Sequence, residues 1–259
     1  MKAAWGWLLK PLLLCCAFGL ALLSAPLPWA QQPPASAPGP APAAARAGDA
    51  NADAGATVPA WRDTITSRLE ALALLQTLNA DLLSHDSATL TLERWCTAHR
   101  MAFPPTVVAE QAPQIQKAPS AQQRQELHVT ASEPVRYRRV RLRCGEHVLS
   151  VADNWYVPDR LTAAMNQQLQ TTETPFGRVV LPLHFVRRTL GATLVWSPLP
   201  AGWASGRQDA PSAPSPWPRA DATVLRQRAI LVLPDGRPIS EVVENYTAEV
   251  LAFPQPRIH

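Results

Sequence analysis

The sequence predicts an α+β fold, a single antiparallel β-sheet built from hairpins with helices packed on one face. Three observations predict it. Apolar residues recur at three-to-four spacing over residues 65–82. From Pro134 onward the apolar period changes to two. Two stretches, 135–157 and 224–247, each read as a strand, a Gly-containing turn and a returning strand.

Asp63 is placed to cap a first helix whose stripe is Ile65, Leu69, Leu72, Leu75, Leu78 and Leu82. Asp86 or Ser87 stops it and caps a second, with Leu92, Trp95 and Cys96 apolar and an end near Arg100, before Pro104-Pro105. Residues 110–125 are polar and read as a loop or frayed segment. A hairpin follows, with strands 135–144 and 147–157 around Gly145-Glu146. Residues 159–170 read as a helix with Leu161, Met165 and Leu169 on one side, and 185–196 as mostly β. The Pro- and Ser-rich stretch 198–220 is a surface loop; strands 224–233 and 239–247 then flank the turn Pro234-Asp235-Gly236-Arg237. The hairpins look like copies of one unit: at constant offset, Asp153-Asn154-Trp155 falls on Glu244-Asn245-Tyr246.

The globular part spans residues 61–253. Residues 1–30 read as a secretory signal, with Lys2 and Lys10 flanking an apolar run over 12–23. That run is shorter than the roughly 20 residues that cross a bilayer. A cleaved signal, and hence a periplasmic or secreted protein without a stable membrane span, is the first expectation. An uncleaved N-terminal tether and a start codon placed too early are the alternatives. Residues 31–60, Ala, Pro and Gly with no apolar period, read as a disordered linker.

The net charge is +4, or +2 once Lys2 and Lys10 leave with the signal, too mild for nucleic-acid binding. No CxxC or His/Cys cluster supports a metal site, and no glycine-rich phosphate loop or nucleophile elbow is present, so neither metal nor cofactor is expected. Oligomeric state is not readable. Of four cysteines, Cys15 and Cys16 lie in the signal; Cys96 and Cys144 either pair or remain buried thiols.

Strand alternation singles out Arg138. Arg139, Arg141 and Arg143 share one, solvated face with Tyr137, whereas Arg138 shares the other with Val140, Leu142 and Cys144. An arginine among buried aliphatics is costly unless paired or bound to an anion. Arg138 is therefore either half of a structural ion pair or a bidentate clamp for a ligand carboxylate. Glu241 and Glu244 fall on opposite faces of the last strand, so one points to the core. His184 reads as a packed strand histidine and His85 as a partner for a helix end. Trp155, Tyr156 and Trp196 read as core aromatics.

Two further stretches carry a resemblance. Leu82-Leu83-Ser84-His85-Asp86-Ser87-Ala88-Thr89-Leu90-Thr91-Leu92-Glu93 and Thr174-Pro175-Phe176-Gly177-Arg178, with Arg138 opening a strand and Glu244 after a Gly-x-Pro turn, resemble the chorismate lyase family. The resemblance spans roughly residues 70–250, and a ligand-sensing domain of transcription regulators shares that fold. It implies a site in which Arg138 holds a ring carboxylate, and Glu244 (or Glu241) bonds a ring hydroxyl or moves a proton. Ala88 and Phe176 would complete the pocket. The reaction it implies is cofactor-free elimination of pyruvate from chorismate, leaving 4-hydroxybenzoate. The alternative is an exported, non-catalytic ligand-binding or structural envelope protein of the same fold. Some positions depart from the family pattern. Its glutamate sits one residue nearer the turn than Glu244, so Glu244 needs a bulge. Ala88 replaces a longer residue, Phe176 a leucine, and Arg226-Gln227-Arg228 a doubled arginine.

Overall fold

The computed structural model describes residues 61–205 and 214–256. The expected signal (1–30) and linker (31–60) lie outside the described residues. Six strands form one antiparallel sheet in the order β1-β2-β3-β6-β5-β4. They are β1 (Val107–Gln111), β2 (Arg136–Cys144), β3 (His147–Tyr156), β4 (Val186–Leu194), β5 (Thr223–Val232) and β6 (Pro238–Thr247). Both expected hairpins belong to it, turning at Gly145 and Gly236, whose positive φ of 57° and 89° favours glycine.

Helices α1 (Ile65–Ser84), α2 (Ala88–Ala98), α4 (Ala163–Thr171) and α5 (Phe176–Val179) accompany the sheet's apolar face. Thr64, not Asp63, caps α1 through Ser67 N; Asp63 instead pairs with Arg68. The stripe of α1 that is buried is Ala71, Leu75, Leu78 and Leu82, while Ile65 and Leu69 are exposed. The reason is the 3.6-residue period: Leu69 lies about 100° around the helix from Arg68 and misses the face that Ala71 and Leu75 define. Against this stripe pack Leu92 and Trp95 of α2, Val140 and Leu142 of β2, and Tyr246 of β6. Cys96 of α2 and Cys144 of β2 form a disulfide, which decides between the two sequence readings and ties that helix to the sheet.

Residues 110–125 differ from expectation. Glu110 and Gln111 end β1, and α3 (Ala121–Glu126) is a short helix with a capping box between Ser120 and Gln123. The polar Glu110-Gln111 end of β1 and the polar α3 carry no apolar period, while Val107 and Ala109 at the start of β1 are buried in the main core. The outer edge of β1 meets residues 172–174, with Ala109 N donating to Glu173 O. The short α3 lies over the sheet's other face, where Leu127 packs with Trp155.

The hairpins repeat in architecture but not residue by residue. The β2–β3 ladder skips Leu149, and the β5–β6 ladder skips Ile239. These bulges are one position out of step at the offset that aligns Asp153 with Glu244. The aligned acids consequently face opposite sides: Asp153 stands opposite Arg139, Glu244 opposite Ala152. Among the described residues no helix is long and apolar enough to cross a membrane.

Candidate functional site

The two stretches that stood out in the sequence interlock. Ser87 caps α2, its Oγ accepting from Leu90 N at 3.4 Å. Gly177, opening the turn of α5, packs so closely that a Cβ there would lie 3.0 Å from Ser87 Oγ and 3.4 Å from Thr89 Oγ1. Arg178 pairs with Glu93, and Glu93 also accepts from Val107 N at 3.1 Å. A side chain at Gly177 would thus crowd the two hydroxyls, and the arginine clamps the start of α5 to α2.

Beneath this junction is a small cavity. Its sheet wall is formed by Arg138, Val140, Ala152, Asn154, Val242, Glu244 and Arg187; Ser87, Ala88, Thr89, Phe176 and Gly177 lie across from them. About 40 Å³ is open to the centres of water-sized molecules, room for roughly three waters.

Its charged groups are unequal in number. Arg187 and Glu244 form an ion pair of 2.5 Å, their side chains 3% and 7% exposed. Tyr246 Oη donates to Glu244 at 3.0 Å. Arg187 also donates to Gln227, which donates to Asn79 of α1 at 2.9 Å. Burial works against the charge on Arg187, but the Glu244 carboxylate holds its pKa above the ordinary value. Burial, reinforced by Glu244, pushes the Tyr246 hydroxyl well up, so it stays a donor.

Arg138 has no such partner. It is 7% exposed and makes no ion pair among the described residues; its Nη2 donates to Thr174 O at 3.2 Å and its Nε is unsatisfied. Burial lowers its pKa to about 10, against a small opposing effect of Tyr156. At neutral pH it remains a cation. Asn154 Nδ2 and Arg187 Nε are also buried without acceptors. The cavity wall therefore holds donors in surplus, and two buried cations against one buried carboxylate. Asp86, the other acid on the lining, is exposed and accepts from Arg187 N at 2.8 Å.

The structure brings Arg138, Glu244, Ala88 and Phe176 to one cavity. It does not bring Glu241 there. Glu241 lies on the opposite face, bonded to Arg228 at 2.8 Å and Gln123 at 3.2 Å, and Ile239 supplies the bulge that turns Glu244 inward. Arg226 and Arg228 also point away from the cavity, leaving Gln227 on its side. Arg139 and Arg143 are only partly solvated, because Asp153 and Glu110 pair with them. His184 is exposed at a left-handed backbone position before β4 rather than packed within a strand. His85 Nδ1 does meet the end of α1, at Asp81 O, 2.9 Å away.

Sequence reasoning missed Arg187 and Asn154. No signal for Arg187 was legible: the apolar residues of β4, Val186 and Leu190, fall on the other parity and are exposed, so the sequence alternation points Arg187 outward. Among the described residues no group of three or more His, Cys, Asp or Glu side chains is placed to hold a metal ion.

No protein-family model matches the chain. The uncharacterized protein y4mC of Sinorhizobium fredii is 50% identical over 205 residues, covering 77% of this chain and 84% of y4mC. Among solved structures, PhnF from Mycobacterium smegmatis is 10% identical over 67% of this chain and 69% of its own, with a TM-score of 0.41. YydK from Bacillus subtilis, described as a possible transcriptional regulator, is 14% identical over 59% of this chain, with a TM-score of 0.35. The alignment spans 62% of YydK's length. A GntR-family regulator from Enterococcus faecalis is 11% identical over 55% of this chain and 91% of its own, with a TM-score of 0.33. Likeness this slight does not bear on function.

Proposed function

This chain belongs to the family of the Sinorhizobium fredii protein y4mC, and we propose that its domain binds a small organic carboxylate in the cavity between the sheet and the α2–α5 junction. One observation carries the reading: Arg138 is a buried cation without a carboxylate partner, on the wall of a cavity whose other donors also lack acceptors. A protein that needed only stability would be better served by an aliphatic side chain there. A carboxylate ligand would supply the missing acceptor, bidentate to the guanidinium. Glu244, fixed by Arg187 and Tyr246, would accept from a ligand hydroxyl at the far end.

The cavity holds only a few waters as it stands, so an aromatic or enol-ether carboxylate would enter by displacing the Phe176–Gly177 segment. The finer reading, elimination of pyruvate from chorismate to 4-hydroxybenzoate, rests on the resemblance in the two interlocking motifs. It would use the same clamp, with Arg138 on the ring carboxylate and the dry, preorganised wall favouring departure of the enol-pyruvyl group. Export is part of the proposal. The Lys-flanked apolar run supports it, as does the Cys96–Cys144 disulfide, a bond that persists in oxidising compartments.

Calorimetric titration of the purified protein with 4-hydroxybenzoate, and incubation with chorismate followed for 4-hydroxybenzoate, test both levels. Binding without turnover supports the binding-only form. No binding of either compound, or binding unchanged by Arg138→Met, would overturn the reading.

A further inference from the structure

A second, larger recess lies beside the cavity and shares only Arg138 with it. We infer that this groove is a separate binding site for an amphipathic organic anion. It runs between residues 112–119 and the end of α4, over the first residues of β2 and Tyr156, and has a volume of about 590 Å³. That is within the roughly 300–1,000 Å³ of small-molecule sites.

Charge complementarity defines the occupant. Lys117, Arg136, Arg138 and Arg139 line the groove, and no Asp or Glu does. Asp153, behind the lining, pairs with Lys117 at 2.7 Å and Arg139 at 3.0 Å, and so offsets part of this charge. Arg136 and Arg138 have no carboxylate partner among the described residues, and they remain uncompensated.

The rest of the lining favours an apolar body rather than a bare ion. Pro113, Ile115, Pro119 and Val135 contribute aliphatic surface beside the half-buried Tyr137 ring, with Leu169 and Tyr156 packed beneath. The segment that forms one wall is held in place, with Trp155 Nε1 donating to Lys117 O at 3.1 Å and Ala112 N to Arg139 O at 3.0 Å. A preformed wall of this kind reduces the ordering cost of binding. The acidic head would lie towards Arg136 and Arg138, and the ring or chain would lie along the apolar wall.

This inference does not require the cavity to be occupied, and the test separates the two. The probe is 1-naphthoate, with neutral 1-naphthamide as control, titrated into the full-length protein and followed by amide chemical shifts. The expected result is shifts at Gln116, Lys117 and Ala118, with the amide binding about tenfold more weakly. Ala118 is exposed, so Ala118→Glu keeps the fold while placing a like charge in the groove; it should weaken 1-naphthoate about tenfold. Arg136→Gln, also exposed, should weaken it about threefold. Shifts confined to Ala88 and Gly177 would overturn the groove and leave the cavity reading standing. No shifts at millimolar probe, or affinities untouched by Ala118→Glu, would overturn the groove as well.

Discussion

The two faces of the central sheet both bury charge, and they do so on opposite terms. On the face that carries α3, three carboxylates meet three cations. Asp153 is held by Lys117, Arg139 and the Tyr137 hydroxyl, while Glu126 and Glu241 share Arg228. Burial works against the Asp153 charge, but Lys117, Tyr137 and Arg139 lower its pKa. On the cavity face, Arg187 and Glu244 form a comparable pair, and Arg138 is left over. A face whose buried carboxylates are met by partly exposed cations is explained by stability alone. A face with an unmatched buried cation calls for an anion from outside, and that difference separates structural arginines from a site.

The largest effect that would sharpen the contrast concerns the closed pair. Arg187→Met should destabilise the protein by about 3–5 kcal/mol, because Glu244 would be left buried and unpaired. Adding Glu244→Leu should restore much of the loss in a denaturant-melt series. A single variant as stable as the wild type would show that the pair is solvated after all.

Arg138→Met should behave in the opposite way. It should weaken 4-hydroxybenzoate binding by about 2–5 kcal/mol, yet raise unfolding stability by about 1–3 kcal/mol, because a desolvated charge disappears and no carboxylate is stranded, only the Thr174 carbonyl that accepted from it. A fall in stability would assign Arg138 to the structural class and erase the difference between the faces.

Asp153→Asn should cost about 1–3 kcal/mol at pH 7, and its effect should depend on pH. A carboxylate whose pKa is lowered by folding adds stability above its ordinary value of 3.8, which is lost as pH falls through the lowered folded-state value. The gap between wild type and variant should therefore close in acid melts below pH 3.8 and stay constant near neutrality.

The smallest effect is expected at Glu241→Gln, within about 1 kcal/mol. Burial already raises the Glu241 pKa against the pull of Arg228, and Arg228 keeps Glu126. The variant should bind 4-hydroxybenzoate like the wild type, since Glu241 is remote from the cavity.

The sequence by itself determined the hairpins and the inward orientation of Arg138. Alternating side chains leave little choice once Val140 and Leu142 must be buried. It also placed the start of α2 to within a residue, with Asp86 or Ser87 as the cap, and the structure assigns that role to Ser87. It did not reveal β1, whose apolar part is only Val107-Val108-Ala109, or α3, whose residues are polar; the partners of both lie far along the chain. Only the tertiary structure chose Glu244 over Glu241, through a one-residue bulge at Ile239 that no propensity announces. It alone joined Cys96 to Cys144, by packing α2 across the end of β2. It alone brought Arg187 to Glu244, from strands separated by β5. Local periodicity reports which way a side chain points. Which charge it meets there depends on contacts between distant segments, and on this sheet that decides whether a buried arginine is paired or still open to a ligand.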